Sequence, residues 1–131
     1  MTPEKQSKEW FTQAQYDLDT AEAMLNTGRH IYCVFMCHLC IEKSIKGLFV
    51  KYLGKTPPKS HSLVYLVQTQ NLDLSKEVKE FLETLDKVSV PTRYPDELNK
   101  LLEEYDKKRS LTILKKSQEV FICLKRKFEK S

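Results

Sequence analysis

Glycine is scarce in this chain, with three residues in 131. That leaves little material for a glycine-rich phosphate loop, and neither GxGxxG nor GxxxxGK followed by Ser or Thr occurs. The classical nucleotide-binding folds built on those loops are therefore excluded. Long apolar runs are also missing: none approaches the roughly 18–20 residues that span a bilayer. The first residues, Met1-Thr2-Pro3-Glu4-Lys5-Gln6, lack a basic-then-apolar leader, so no secretory signal and a cytoplasmic location are expected. Of the four cysteines, three fall within eight residues and Cys123 stands alone, which fits free thiols in a reducing cytoplasm and not a disulfide-framed secreted domain. What remains, 40% hydrophobic and 31% charged residues, is the composition of one soluble globular domain over residues 1–131.

The net charge of +4 conceals a segregation. Residues 107–131 carry nine Lys or Arg against Glu119 and Glu129, a net of +7. Residues 96–106 carry Asp96, Glu97, Glu103, Glu104 and Asp106 against Lys100, a net of −4. A basic C-terminal helix can meet phosphate, but such a run is more often a solvated face.

The apolar periodicity is helical throughout. Thr2-Pro3 offers an N-cap and a first-turn proline, and Trp10, Ala14, Leu18, Ala21 and Leu25 then recur at four-and-three spacing up to Gly28. A second helix is predicted over about His30–Leu53, stopped by Gly54 and sealed by Pro57-Pro58. Shorter helices are expected over about 61–70 and from Ser75, the latter carrying Val78, Phe81, Leu82 and Leu85. The acidic stretch 96–106 reads as a long loop or a poorly formed helix. A last helix over about 107–129 aligns Ile113, Ser117, Val120, Phe121, Leu124 and Phe128, with Ile122 on its polar side. The fold class is all-α: an up-and-down bundle of four to five helices, the first two long and antiparallel.

Polar residues that break this pattern are the informative ones. By helical phase Glu42 falls inside the apolar sector of the second helix, with Lys46 at its edge and His38 near its middle. Asp17 falls at the rim of the first helix's stripe. Inward-facing acids are costly unless paired. The candidate partners are Lys46 at i+4, His61 after the double proline, and Arg93 between Pro91 and Pro95. Two readings follow: a structural network tying segment 91–95 onto the helix pair, or a polar cleft in which Lys46, His61 and Arg93 bind phosphate or nucleotide.

His30, Cys33, Cys37, His38 and Cys40 crowd together as zinc ligands do. On one helix, however, Cys33 and Cys40 are separated by a rise of about 10 Å. Bonds of about 2.3 Å cannot gather those thiolates round one ion, so no metal site, cofactor or nucleophilic Cys/His pair is expected.

These residues, in order, resemble the HEPN domain family (higher eukaryotes and prokaryotes nucleotide-binding). The first helix reads Trp10-Phe11-x-x-Ala14-x-x-Asp17-Leu18-x-x-Ala21, similar to the family's opening pattern. The second carries Cys40-Ile41-Glu42-Lys43-Ser44-Ile45-Lys46-Gly47-Leu48, like A-x-E-K-x-L-K-A-L with small residues exchanged. His61-Ser62-Leu63-x-x-Leu66 matches H-S-L-x-x-L, and Arg93-Tyr94-Pro95 looks like R-Y-P. The resemblance covers residues 8–128. It implies one helical domain, commonly a homodimer, acting beside nucleotides or RNA. It also implies a minimal nucleotidyltransferase as partner in a toxin–antitoxin-like pair. On it, Lys46, His61 and Arg93 are the phosphate-binding candidates, with Asp17, Glu42 and Tyr94 as the supporting polar network. Many members of the wider family are metal-independent ribonucleases with an R-x(4–6)-H motif. Here Arg29, the one arginine preceding a histidine, is adjacent to His30 and separated from His38 by eight residues, so the motif is absent. No catalytic residue is therefore expected, and a non-catalytic binding or adaptor module is the leading reading. A ribonuclease with a divergent site, or a purely structural dimerisation bundle, is the alternative.

Overall fold

The computed structural model describes residues 1–88 and 94–130. Six α-helices occur among the described residues: α1 (Pro3–Asn26), α2 (His30–Leu53), α3 (Leu63–Thr69), α4 (Lys76–Val88), α5 (Pro95–Glu104) and α6 (Lys107–Lys130). The expected all-α bundle forms, with six helices among the described residues where four to five are expected, and α1 and α2 are its long antiparallel pair. Thr2 caps α1 by accepting from the Lys5 N–H at 3.2 Å, with Pro3 at the first helical position. The acidic stretch is a helix and not a loop. Pro95 sets its first turn, and Asp96 and Glu97 lie there with favourable sign towards the helix dipole.

The α2 helix is the axis of the bundle, packed against α1, α6, α3, α4 and α5. Every residue from Ser44 to Val50 is buried, so a polar side chain on that stretch must point into protein. Close approach of α1 explains Gly47: a Cβ there would sit 2.9 Å from the Phe11 ring and 3.1 Å from the Trp10 Cβ. Phe11 cannot easily yield, because it stacks on Phe128 of α6 with ring centroids 4.5 Å apart. At the end of α2, Gly54 adopts the left-handed conformation (φ 63°) and returns its N–H to the Val50 carbonyl at 2.8 Å. The Lys51 ammonium donates to the Phe128 carbonyl, tying the last turn of α6 to α2 and satisfying an otherwise orphaned acceptor. No helix among the described residues is long and apolar enough to cross a membrane.

Cys33, Cys37 and Cys40 lie along α2 in the core, all fully buried. A hydrogen bond to Cys37 together with burial pushes the Cys33 thiol above its ordinary value, and burial does the same to Cys40. These two are protonated packing groups, poor nucleophiles at neutral pH.

Candidate functional site

The site is built where α2 passes the connection between Gly54 and Ser62. Glu42 is 4% exposed, and a lone carboxylate there would cost several kcal/mol of lost hydration. It is held on several sides. The Lys46 ammonium, one turn along α2, donates to Oε2 at 2.9 Å. The His61 Nδ1 lies 3.2 Å from Oε1 and 3.1 Å from Oε2. Only acceptor oxygens face that nitrogen, so Nδ1 carries a proton. The His61 side chain is 64% exposed, so its Nε2 is the part of the cluster that meets solvent. A buried carboxylate thus fixes the orientation of an accessible imidazole, a geometry suited to hydrogen-bonding a ligand.

A second carboxylate continues the cluster inward. His38, 2% exposed, places Nε2 3.1 Å from Asp86 Oδ1 on α4 and Nδ1 3.7 Å from Glu42 Oε1. Asp86 also accepts from the Leu63 N–H at 2.9 Å, the Val64 N–H at 3.1 Å and the Ser62 hydroxyl at 3.2 Å. It therefore caps the N-terminus of α3 from another helix, while Ser62 caps the same turn locally through the Tyr65 N–H at 3.2 Å. Burial alone would raise the Asp86 carboxyl, but the His38 hydrogen bond and the Leu63 and Val64 N–H groups outweigh it and hold it below its ordinary value. Ionised Asp86 can only accept, so His38 Nε2 is a donor. His38 Nδ1 is buried without a hydrogen-bond partner among the described residues, and a proton there would turn the 3.7 Å approach to Glu42 into an ion pair.

Of the residues singled out by sequence, Glu42, Lys46 and His61 come together in one cluster. Asp17 is buried as expected but pairs with Lys43 at 2.8 Å. Tyr94 is 80% exposed at the start of α5. Arg93 and most of the segment Val90–Pro95 that was to join the cluster lie outside the described residues. Sequence reasoning missed Asp86 and gave His38 no role. The signal for Asp86 was present: it stands at i+4 from Leu82 on α4, on the same stripe of that helix. In the 107–131 charge run the lysines at 107, 108, 115, 116, 125 and 130 are all exposed.

Lys46 also joins the cluster to an aromatic: its Nζ lies 5.9 Å from the centroid of the Trp10 ring. Beside Trp10, a cavity of about 270 Å³ opens between α1 and the residues after Gly54.

The family model of the HEPN domain matches residues 7–127. TT1696 from Thermus thermophilus has a similar structure, with a TM-score of 0.80 and 24% identity over 93% of this chain and 98% of that one. ST0689, described as an archaeal HEPN homologue, is similar with a TM-score of 0.75 and 20% identity over 93% of this chain and 97% of that one. Among curated proteins none matches. At these identities the two structures speak for the fold. The family model, which takes in both long helices, the His61 turn and α6, establishes that the chain belongs to the HEPN domain family.

Proposed function

We propose that this domain is a non-catalytic nucleotide-binding or adaptor module, acting as a homodimer, alone or with a nucleotidyltransferase-type partner. One observation carries the binding reading: an exposed imidazole, His61, locked onto buried Glu42 beside Lys46. With its proton on Nδ1, a neutral His61 accepts from a ribose hydroxyl at Nε2 and only an imidazolium donates there to a phosphate oxygen, while Lys46 supplies positive charge from behind Glu42. Arg93 remains a third candidate for the phosphate.

Charge counting sharpens the reading. With both imidazoles neutral, Glu42 and Asp86 against Lys46 leave one net negative charge, which repels an anion. Protonating His61 cancels it and adds a donor at Nε2. Calorimetric titration with ATP, GTP and inorganic tripolyphosphate tests the binding reading. Saturable binding supports it, whereas heats indistinguishable from dilution with all three ligands refute it.

Homodimerisation is supported by apolar side chains left on the surface. Ile122 on the basic face of α6 is 49% exposed and Leu102 on α5 is 50% exposed, and a two-fold contact through either helix would cover the same side chain on both copies. Light scattering is expected to give twice the 15.4 kDa chain mass, and a 15.4 kDa particle at micromolar concentration refutes it. A second reading, ribonuclease activity at a divergent site, rests on the same His61–Glu42 pair, since a carboxylate-oriented imidazole is also general-base geometry. Cleavage of single-stranded RNA that disappears in His61→Ala would favour it over the binding module.

A further inference from the structure

We propose that the cavity beside Trp10 receives the base of the bound nucleotide and selects bases that carry an exocyclic amino group. The inference rests on the phosphate reading of His61 and Lys46, and extends it from an anion to a nucleotide class.

Residues 6, 9, 10 and 13 recur at helical spacing and so share one face of α1. That face carries Gln6, Glu9, Trp10 and Gln13, and with Thr56 and buried Pro57 it lines the cavity of about 270 Å³. Its lining combines one aromatic ring, two amides and a carboxylate with Thr56, Pro57 and the Met1 side chain. Trp10 is half-buried and anchored at its stem, because the missing Cβ of Gly47 lets α1 press onto α2 there. The stem of Trp10 is thus held, and a planar heterocycle of base size gains by stacking on its ring.

The polar lining decides which heterocycle. The Glu9 carboxylate only accepts, so it favours the amino N–H groups of adenine, cytosine or guanine and opposes the carbonyl at the matching position of uracil. Gln6 and Gln13 each offer a donor and an acceptor, the pair an adenine edge requires. Glu9 belongs beside a neutral base and would repel phosphate. Phosphate belongs instead on the side of Lys46, whose buried ammonium lies 5.9 Å from the Trp10 centroid and 2.9 Å from the Glu42 oxygen that also holds His61, so that it attracts through space without touching the phosphate. Base pocket and phosphate group are therefore linked through one lysine.

Trp10 is the sole tryptophan of the chain, so the full-length protein reports on its own pocket. ATP, UTP and inorganic tripolyphosphate are titrated in parallel by calorimetry and by Trp10 emission. ATP is expected to change the emission saturably over the range in which calorimetry saturates, UTP to bind more weakly, and tripolyphosphate to bind without a comparable emission change. Trp10→Leu is expected to weaken ATP about five- to hundredfold, the span of base–aromatic stacking, while sparing tripolyphosphate. Glu9→Gln, an exposed and conservative change, guards against misfolding and is expected to narrow the preference for ATP over UTP. If ATP and tripolyphosphate bind equally, with Trp10 emission unmoved and Trp10→Leu unaffected, the base pocket is wrong and the phosphate site stands. If ATP and UTP bind alike with the same emission change, the selectivity is wrong. If neither ATP nor tripolyphosphate binds, this inference and the phosphate reading fall together.

Discussion

Asp86 offers the sharpest test of how the cluster holds the bundle together, because one carboxylate there serves three elements. It takes the His38 ring of α2 at 3.1 Å, and it takes the Leu63 and Val64 N–H groups of α3 at 2.9 and 3.1 Å, all from its place on α4. Its side chain is 19% exposed, so water would not fully replace these contacts. Replacing Asp86 by Ala leaves His38 without its carboxylate and the α3 turn with Ser62 alone as cap. Hydrogen bonds to a charged group are worth about 1.5–3 kcal/mol each, and stripping one partner from a buried charged pair costs about 3–5 kcal/mol. Since the contacts share one group and do not add, about 3–4 kcal/mol is the expected loss, a large part of the roughly 5–15 kcal/mol that holds a domain together. Urea unfolding followed by circular dichroism at neutral pH measures it. The acid dependence provides a second check. The folded-state value of this carboxyl is depressed below its ordinary 3.8. Its contribution is therefore complete above the unfolded value and disappears as pH falls through the folded one. The gap between wild type and Asp86→Asn should accordingly narrow in strong acid. A loss below about 1 kcal/mol for the Ala variant, the size expected of an exposed pair, or a gap indifferent to acid, would refute the reasoning.

Other expected outcomes follow from the same packing. Gly47→Ala gains about 1 kcal/mol of helix propensity but drives a Cβ into Phe11, where overpacking costs about 1–3 kcal/mol. A net loss near 1 kcal/mol in urea unfolding is expected, and a more stable variant would show that Phe11 yields freely. Glu42→Gln should destabilise the fold by about 3–5 kcal/mol by stranding the Lys46 ammonium, and Lys46→Met should cost less because both imidazoles still face Glu42. The double variant should recover part of the Glu42→Gln loss in a mutant cycle. Strict additivity would mean that the 2.9 Å pair is energetically idle.

The long helices were legible because their signals are local: caps, apolar spacing, and stops at Gly28 and Gly54. Glu42 was legible for the same reason, since a carboxylate inside an apolar sector demands a partner, and Lys46 at i+4 is the nearest one. His61 became plausible as a partner only through the turn after Pro57-Pro58. Asp86 was not found because its function is non-local. It caps a helix 22 residues away from within another, and nothing in the α4 spacing says that the α3 N–H groups are waiting there. The acidic stretch reads as either a long loop or a poorly formed helix because acids crowd both its ends, and Leu98, Leu101 and Leu102 at helical spacing decide for the helix. Trp10 was legible as an apolar stripe residue. Its place between Lys46 and an open cavity depends on Gly47 bringing α1 close, and spacing along one helix cannot show that.

The central claim is that His61, pinned by Glu42, is the group that meets a nucleotide's phosphate. The chain has three histidines, so ¹H–¹⁵N correlation of their imidazoles during an ATP titration reads the claim directly. The account predicts that the His61 Nε2 resonance shifts saturably, that buried His38 follows to a smaller extent through Glu42, and that His30 stays in place. ATP binding, seen by calorimetry, that leaves the His61 resonances unmoved would contradict it.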